Sequence, residues 1–90
     1  MNILQEKGRF YIDNDGKTVA EITYTTPNND MFIIDHTFVD ESLRGQNVGE
    51  QLVASVVALA RQQERKIIPL CPFAKREFEK KASYADVWKK

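Results

Sequence analysis

The 90-residue sequence holds one cysteine, one histidine and four glycines, and its thirteen basic residues are cancelled by thirteen acidic ones. A lone Cys71 rules out an intramolecular disulfide and a cysteine-rich zinc site, and it fits a reducing cytoplasm. No metal is expected. No apolar run approaches the roughly 20 residues that span a bilayer, and the first residues lack the charged, apolar, small-residue order of a secretion signal. The expectation is a soluble cytoplasmic chain without a membrane partner. With no excess of positive charge, nucleic acid is not an expected partner either, although the last third is locally basic. No repeat, low-complexity tract or linker divides the chain. Residues 1–90 therefore read as one domain, near the lower size limit for folding without a metal or disulfides.

What is present is first a strand signal. Arg9-Phe10-Tyr11-Ile12 and Val19-Ala20-Glu21-Ile22-Thr23-Tyr24 are β-branched and aromatic, and Asp13 to Lys17 between them contains an Asp-Gly turn. Thr26 to Asp30 is dense in turn formers, and Met31 to Val39 makes a third strand, the longest and most apolar. Together these predict a three-strand antiparallel meander. From Val48 the period becomes helical, with Val48, Leu52, Val56, Leu59 and Ala60 on one stripe that Val53 and Val57 widen. The helix closes over Gln62 to Arg65. Lys66 to Cys71 then reads as a fourth strand, parallel to the third because a helical crossover separates them. Pro69 lacks a ladder donor, so that strand is an edge or is splayed from its neighbour. Pro72 suits a first helical turn, Phe73 to Lys81 a short helix with Phe73 and Phe78 inward, and Ser83 to Trp88 a last turn. The fold class is mixed α/β (α+β).

The stretch from Val39 to Leu52 carries the chemistry. An apolar strand passes through a glycine-containing loop straight into a helix, whose first N–H groups have no intrahelical partner and lie at the positive end of its dipole. Gly45 and Gly49 carry no Cβ, so a ligand can approach the main chain closely. The P-loop spelling and the three-glycine dinucleotide fingerprint are both absent. Asn47 and Glu50 also spell a capping box, which would fill the same donors. Phosphate binding is preferred, because a cap requires none of Arg44, Gly45 and Gly49. A carboxylate at Glu50 opposes a bound dianion unless its side chain points away.

Arg44-x-x-Asn47-x-Gly49 resembles the Q/R-x-x-G-x-G/A signature of the Gcn5-related N-acetyltransferases. Asn47 stands where the family has its middle glycine, and asparagine is the residue that best tolerates left-handed geometry after glycine. Ile34-Asp35-His36-Thr37, Leu43-Arg44-Gly45-Gln46 and Ile68-Pro69-Leu70-Cys71-Pro72-Phe73 together are similar to a compact subfamily of roughly 90–100 residues, without the terminal elements that shape an acceptor site in larger relatives. The resemblance runs from about Arg9 to Tyr84. It implies a reduced acyl-CoA N-acyltransferase fold and acetyl-CoA as co-substrate. Its pyrophosphate would meet Arg44, Gly45, Gln46, Asn47, Val48 and Gly49. The third and fourth strands would part to admit the pantetheine arm beside Thr37, Phe38, Val39 and Pro72, with the thioester directed toward Cys71.

Two residues are candidates for catalysis. Cys71 is either a small buried hydrophobe or a thiol whose pKa is lowered at a helix start, able to accept an acetyl group and pass it on. His36 either fills one face of its strand or takes a proton from an acceptor amine or from Cys71, being the one side chain that titrates near neutrality without a large shift. Asp35 is its neighbour, but strand alternation would put the two on opposite faces. Tyr84 reads as packing with Val87 and Trp88. Lys75, Arg76, Lys80 and Lys81 read as a solvated face, of which one or two could contact the 3′-phosphate of coenzyme A. The functional expectation is acetyl transfer to a primary amine, a protein lysine or N-terminus rather than a small molecule, by direct attack or through Cys71. The alternative is a non-catalytic acetyl-CoA sensor or interaction module. A monomer or weak dimer is expected.

Overall fold

The computed structural model describes residues 2–90. Five strands follow the alternation of the sequence: β1 (Leu4–Glu6), β2 (Arg9–Asn14), β3 (Lys17–Asn28), β4 (Met31–Val39) and β5 (Lys66–Pro69). They form one sheet in the order β1-β2-β3-β4-β5, with the first four antiparallel and β5 parallel to β4. The Asp15-Gly16 turn has φ of 52° and 79°, the doubly positive geometry that matches the twist of a two-residue hairpin. The meander is thus one strand longer than the expected three. Leu4, Gln5 and Glu6 are all exposed, so β1 has no buried alternation to read; it is held by pairing with β2 and by a 2.9 Å contact between Arg9 Nε and Glu6. β3 also runs on to Asn28, into the turn expected over Thr26 to Asp30. Beyond Thr23 it has no β2 partner, so Pro27 removes no ladder bond on that side.

Helix α1 (Val48–Gln63) crosses between β4 and β5 and buries Leu52, Val53, Val56, Val57 and Ala60 against Ile22, Ile34 and Ile67 of the sheet. A valine-rich helix of this length is marginal alone. Each fully buried Leu or Val contributes about 1.5–3 kcal/mol, so packing rather than propensity fixes it. Glu64 ends it in left-handed geometry, and the N–H of Arg65 reaches back to Ala60 O at 2.8 Å.

Helix α2 (Pro72–Lys80) and a 3-10 segment (Ala82–Val87) close the core. Phe78 is buried with its ring centroid 5.3 Å from Tyr84 and 5.8 Å from Trp88, and Lys89 N bonds Ile67 O at 2.8 Å, so the tail caps the outer edge of β5. Glu77 is the one buried charged residue among those described. Its Oε1 lacks a directed hydrogen bond, but Lys81 Nζ at 2.8 Å and Lys80 Nζ at 3.1 Å from the carboxylate compensate the charge. Burial pushes this carboxyl up, and the two ammonium groups outweigh it and hold it below the ordinary value.

Candidate functional site

β4 outlasts β5, and the site lies where their pairing stops. The parallel register runs from Met31↔Lys66 to Ile34↔Pro69 and ends there. Leu70 N and Cys71 N both turn to Ile34 O, at 3.1 and 3.3 Å. Residues 35–39 of β4 continue without a β5 partner, so alternate backbone groups of this stretch face an opening. Pro69, which can donate nothing to a longer ladder, stands at the fork.

A bulge sits at the same place. The β3 register passes from Tyr24↔Ile34 to Thr23↔His36, leaving Asp35 as an extra residue. Its effect is to reverse the parity of the strand. Phe32 and Ile34 point into the core, but beyond the bulge Thr37 pairs with the fully buried Ile22 on the core face, while His36 pairs with Thr23 on the outer face. His36 and Asp35 are both exposed. The expectation that alternation separates Asp35 from His36 therefore does not hold across the bulge. His36 is also separated from Cys71 by the sheet, which removes it as a base for that thiol.

The loop after β4 is fixed from both ends. Asp40 N bonds Val19 O at 2.8 Å, and the Asp40 carboxylate accepts from Ser42 N at 3.0 Å and Ser42 Oγ at 2.6 Å, capping a 3-10 turn over Glu41–Leu43. The Ser42 hydroxyl and amide hold the Asp40 carboxyl below its ordinary range. Gly45 then takes φ of 83° and Asn47 takes φ of 58°, both left-handed. Asn47 stands at the N-cap position of α1 but makes no side-chain cap hydrogen bond, so the capping box is not formed. Among the described residues no acceptor meets the N–H groups from Gly45 to Glu50; the first bonded amide is Gln51 N, to Asn47 O at 3.1 Å. Gln51 Nε2 caps the Gln46 carbonyl at 3.1 Å, which steadies the loop without touching those amides.

These amides border a cleft of about 440 Å³ lined by Thr37, Val39, Leu43, Arg44, Gly45, Asn47, Val48, Gly49, Glu50 and Phe73. Seven of the expected binding residues are in it. Phe38 is not, because the bulge turns it to the outer face, where it is 40% exposed. Gln46 and Pro72 are exposed and do not line it. Glu50 is one of the residues that line the cleft. Leu43 and Phe73 were not foreseen. Phe73, expected inward with Phe78, packs half-buried against the core and lies over Gly49.

Cys71 precedes α2 and is buried, with its Sγ 3.4 Å from Thr37 Oγ1 across the opening. Burial pushes the thiol up, but the Thr37 hydroxyl and the N–H groups of Ala74, Phe73 and Thr37 outweigh this and leave it below its ordinary value. No side-chain cap hydrogen bond to α2 is closed, so the amides act at longer range.

The Gly49–Phe73 contact has a measurable signature. A Cβ at Gly49 would lie 2.8 Å from Phe73 Cζ and 2.9 Å from Cε2, so the ring must move. Alanine favours a helix over glycine by about 1 kcal/mol, while overpacking costs about 1–3 kcal/mol. Gly49→Ala is expected to destabilise the wild type by up to about 2 kcal/mol and to stabilise a Phe73→Ala background by about 0.5–1 kcal/mol. Urea unfolding of the four chains checks this reversal of sign.

The family described as GCN5-related N-acetyl-transferase matches residues 9–87. A GCN5-like candidate N-acetyltransferase from Staphylococcus aureus, solved in solution, is 45% identical with a TM-score of 0.82, over 98% of this chain and 87% of that one. Rv2747 from Mycobacterium tuberculosis, crystallised with CoA and NLQ, is 19% identical with a TM-score of 0.65, over 82% of this chain and 46% of that one. An acetyltransferase of the GNAT family from Elizabethkingia anophelis with acetyl-CoA bound is 14% identical with a TM-score of 0.61, over 82% of this chain and 51% of that one. The last two share the fold and are about twice as long as the part matched. No curated protein matches the sequence.

Proposed function

The chain belongs to the GCN5-related N-acetyl-transferase family, and on that premise we propose that it moves the acetyl group of acetyl-CoA to a primary amine on a protein, a lysine side chain or an N-terminus. The observation that carries this reading is the run of unpartnered amides from Gly45 to Glu50 beside the opening between β4 and the Cys71 segment. Several N–H donors at a helix start suit a diphosphate, and an opening flanked by free strand edge suits an amide-bearing pantetheine arm. Relatives of the same fold hold CoA or acetyl-CoA. One free cysteine suits a reducing cytoplasm.

In this reading the thioester lies between Thr37 and Val39 on one side and Cys71 on the other. The amine nitrogen attacks the carbonyl carbon, a backbone N–H of β4 near Val39 holds the carbonyl oxygen, and the C–S bond breaks as coenzyme A leaves as thiolate. The ammonium proton goes first to water or to His36. In a covalent route the Cys71 thiolate, favoured by its lowered pKa, attacks the carbonyl carbon and expels coenzyme A as thiolate. The amine then attacks the acetyl-Cys71 thioester and releases the Cys71 thiolate, its proton passing to water.

Release of free coenzyme A thiol from acetyl-CoA, with and without a lysine peptide, tests the reading. Amine-dependent release is expected, with Cys71→Ala retaining kcat/KM within about 3-fold if attack is direct and losing at least about 100-fold if the route is covalent. Tight binding with no amine-dependent release is the result of a non-catalytic acetyl-CoA module.

A further inference from the structure

We propose that the outer face of the sheet at the mouth of the opening is the acceptor surface, and that it takes a lysine side chain of a polypeptide with Asp35 as the ammonium-binding residue. This rests on the acetyl-CoA reading above and adds to it the acceptor class and the side of approach. Thr37 and Val39 line the cleft from the core face. The bulge turns the alternate set, His36 and Phe38, to the opposite face of the same opening, and Asp35 is exposed beside them. From the β5 side, Ile67 and Pro69 are buried, which sends Leu70 outward, where it is 64% exposed. Phe38 and Leu70 are two of the three large exposed hydrophobics among the described residues; Phe38 stands on β4 and Leu70 immediately follows β5, on the two sides of the opening.

Charge on this face suits a cation. Cross-strand pairing puts Glu6, Arg9, Glu21 and, at the start of β5, Lys66 on this face with Asp35. Arg9 is already held by Glu6 at 2.9 Å and Glu21 at 3.1 Å, and Lys66 Nζ donates to the Asp86 carbonyl, so neither cation is spent on Asp35. Asp35 has no ion pair among the described residues. A lysine side chain matches this arrangement in both of its parts. Its four-carbon stem packs between Phe38 and Leu70, and its ammonium reaches the carboxylate at the fork. An N-terminal amine brings the charge without the stem, and a small amine leaves the apolar rim uncovered.

The step balances as R–NH3⁺ plus acetyl-CoA giving R–NH–CO–CH3, coenzyme A as free thiol and one proton. His36, adjacent to Asp35 on this face, receives the first proton; a C–N bond forms and the C–S bond breaks. Asp35 binds and holds the ammonium and does not itself exchange a proton.

Two peptides of one sequence, N-terminally blocked, with a single lysine or with norleucine in its place, are titrated into the protein and followed by amide chemical shifts. The lysine peptide is expected to move Asp35, His36, Phe38 and Leu70, and the norleucine peptide to move them far less. In turnover with acetyl-CoA, Asp35→Asn is expected to raise KM for the lysine peptide roughly 5-fold and Asp35→Lys at least about 30-fold, leaving the acetyl-CoA dissociation constant unchanged. Acetyl-CoA shifts at Gly45 to Gly49 with equal response to both peptides overturn the acceptor assignment alone. No acetyl-CoA shift at that loop overturns it together with the coenzyme reading. An unblocked, lysine-free peptide acetylated as fast as the lysine peptide also overturns it.

Discussion

A Gly45→Val variant is expected to bind acetyl-CoA at least about 100-fold more weakly than the wild type, while losing no more than about 1–2 kcal/mol of stability. At φ of 83° a β-branched residue is strained, although nothing lies within 4 Å of the Cβ it would add. The chain has two ways to respond. Keeping the loop costs about 1–3 kcal/mol of backbone strain; relaxing it turns amides away from the cleft. Relaxation is cheap for folding, because Gly45 is exposed and its N–H bonds nothing among the described residues. It is expensive for binding, since each hydrogen bond to a charged group contributes about 1.5–3 kcal/mol and two lost bonds already exceed a factor of 100. Gly16→Val is the control. Gly16 has φ of 79° and equally open surroundings, but it lies in the β2–β3 turn, so it should show the same strain and unaltered binding. Calorimetric titration and urea unfolding of both variants measure the contrast. Equal affinity loss in the two would show that general destabilisation, not the loop, was being read.

The second large effect is stabilisation by ligand. At a free concentration one hundred times its dissociation constant, acetyl-CoA should add about 2.7 kcal/mol to the unfolding free energy. For a chain of this size each kcal/mol moves Tm by about 4–8 °C, so a rise of about 10–20 °C is expected in a thermal melt. Acetyl-pantetheine has the same thioester and arm and lacks the diphosphate, so at the same concentration it should shift Tm by no more than about 2 °C. A full shift with acetyl-pantetheine would mean that the arm, not the loop, anchors the ligand. Cys71→Ala should respond to acetyl-CoA like the wild type, because in the proposed pose the thiol meets the acyl end of the ligand rather than its diphosphate anchor.

Much of the fold can be read from the chain because local and global preferences agree. The Asp15-Gly16 pair demands doubly positive φ, the stripe from Val48 to Ala60 has one helical period, and Pro69 forbids a longer β5 ladder. Those three features place the β2–β3 hairpin, the crossover and the opening. What could not be read lies where tertiary context overrides the local pattern. β1 has three exposed residues and no alternation, so only its partner Arg9–Tyr11 defines it. The bulge at Asp35 leaves no mark in Ile33 to Thr37, yet it moves Phe38 out of the cleft and brings Asp35 and His36 to one face. Asn47 carries the spelling of a cap and adopts instead a left-handed backbone, with φ of 58°. Phe73 meets Gly49 only because α2 returns beside the start of α1, a contact between residues 24 apart that no periodicity encodes.

The same physics limits what the cleft residues can be asked to do. Arg44 is exposed, and its backbone closes the 3-10 turn through a 3.1 Å bond to Glu41 O, so in the proposed complex its guanidinium would supply only screened charge to the pyrophosphate. Glu50 lines the cleft, where its negative charge opposes a dianion.

Titrating acetyl-CoA into the labelled protein and following every backbone amide tests most directly whether the unpartnered loop amides and the parted strands form one coenzyme site. The largest movements are expected at Gly45 to Gly49, with a second set at Thr37 to Val39 and Cys71 and nothing at the Asp15-Gly16 turn. Saturable binding whose shifts gather elsewhere, with the amides from Gly45 to Gly49 unmoved, would contradict it.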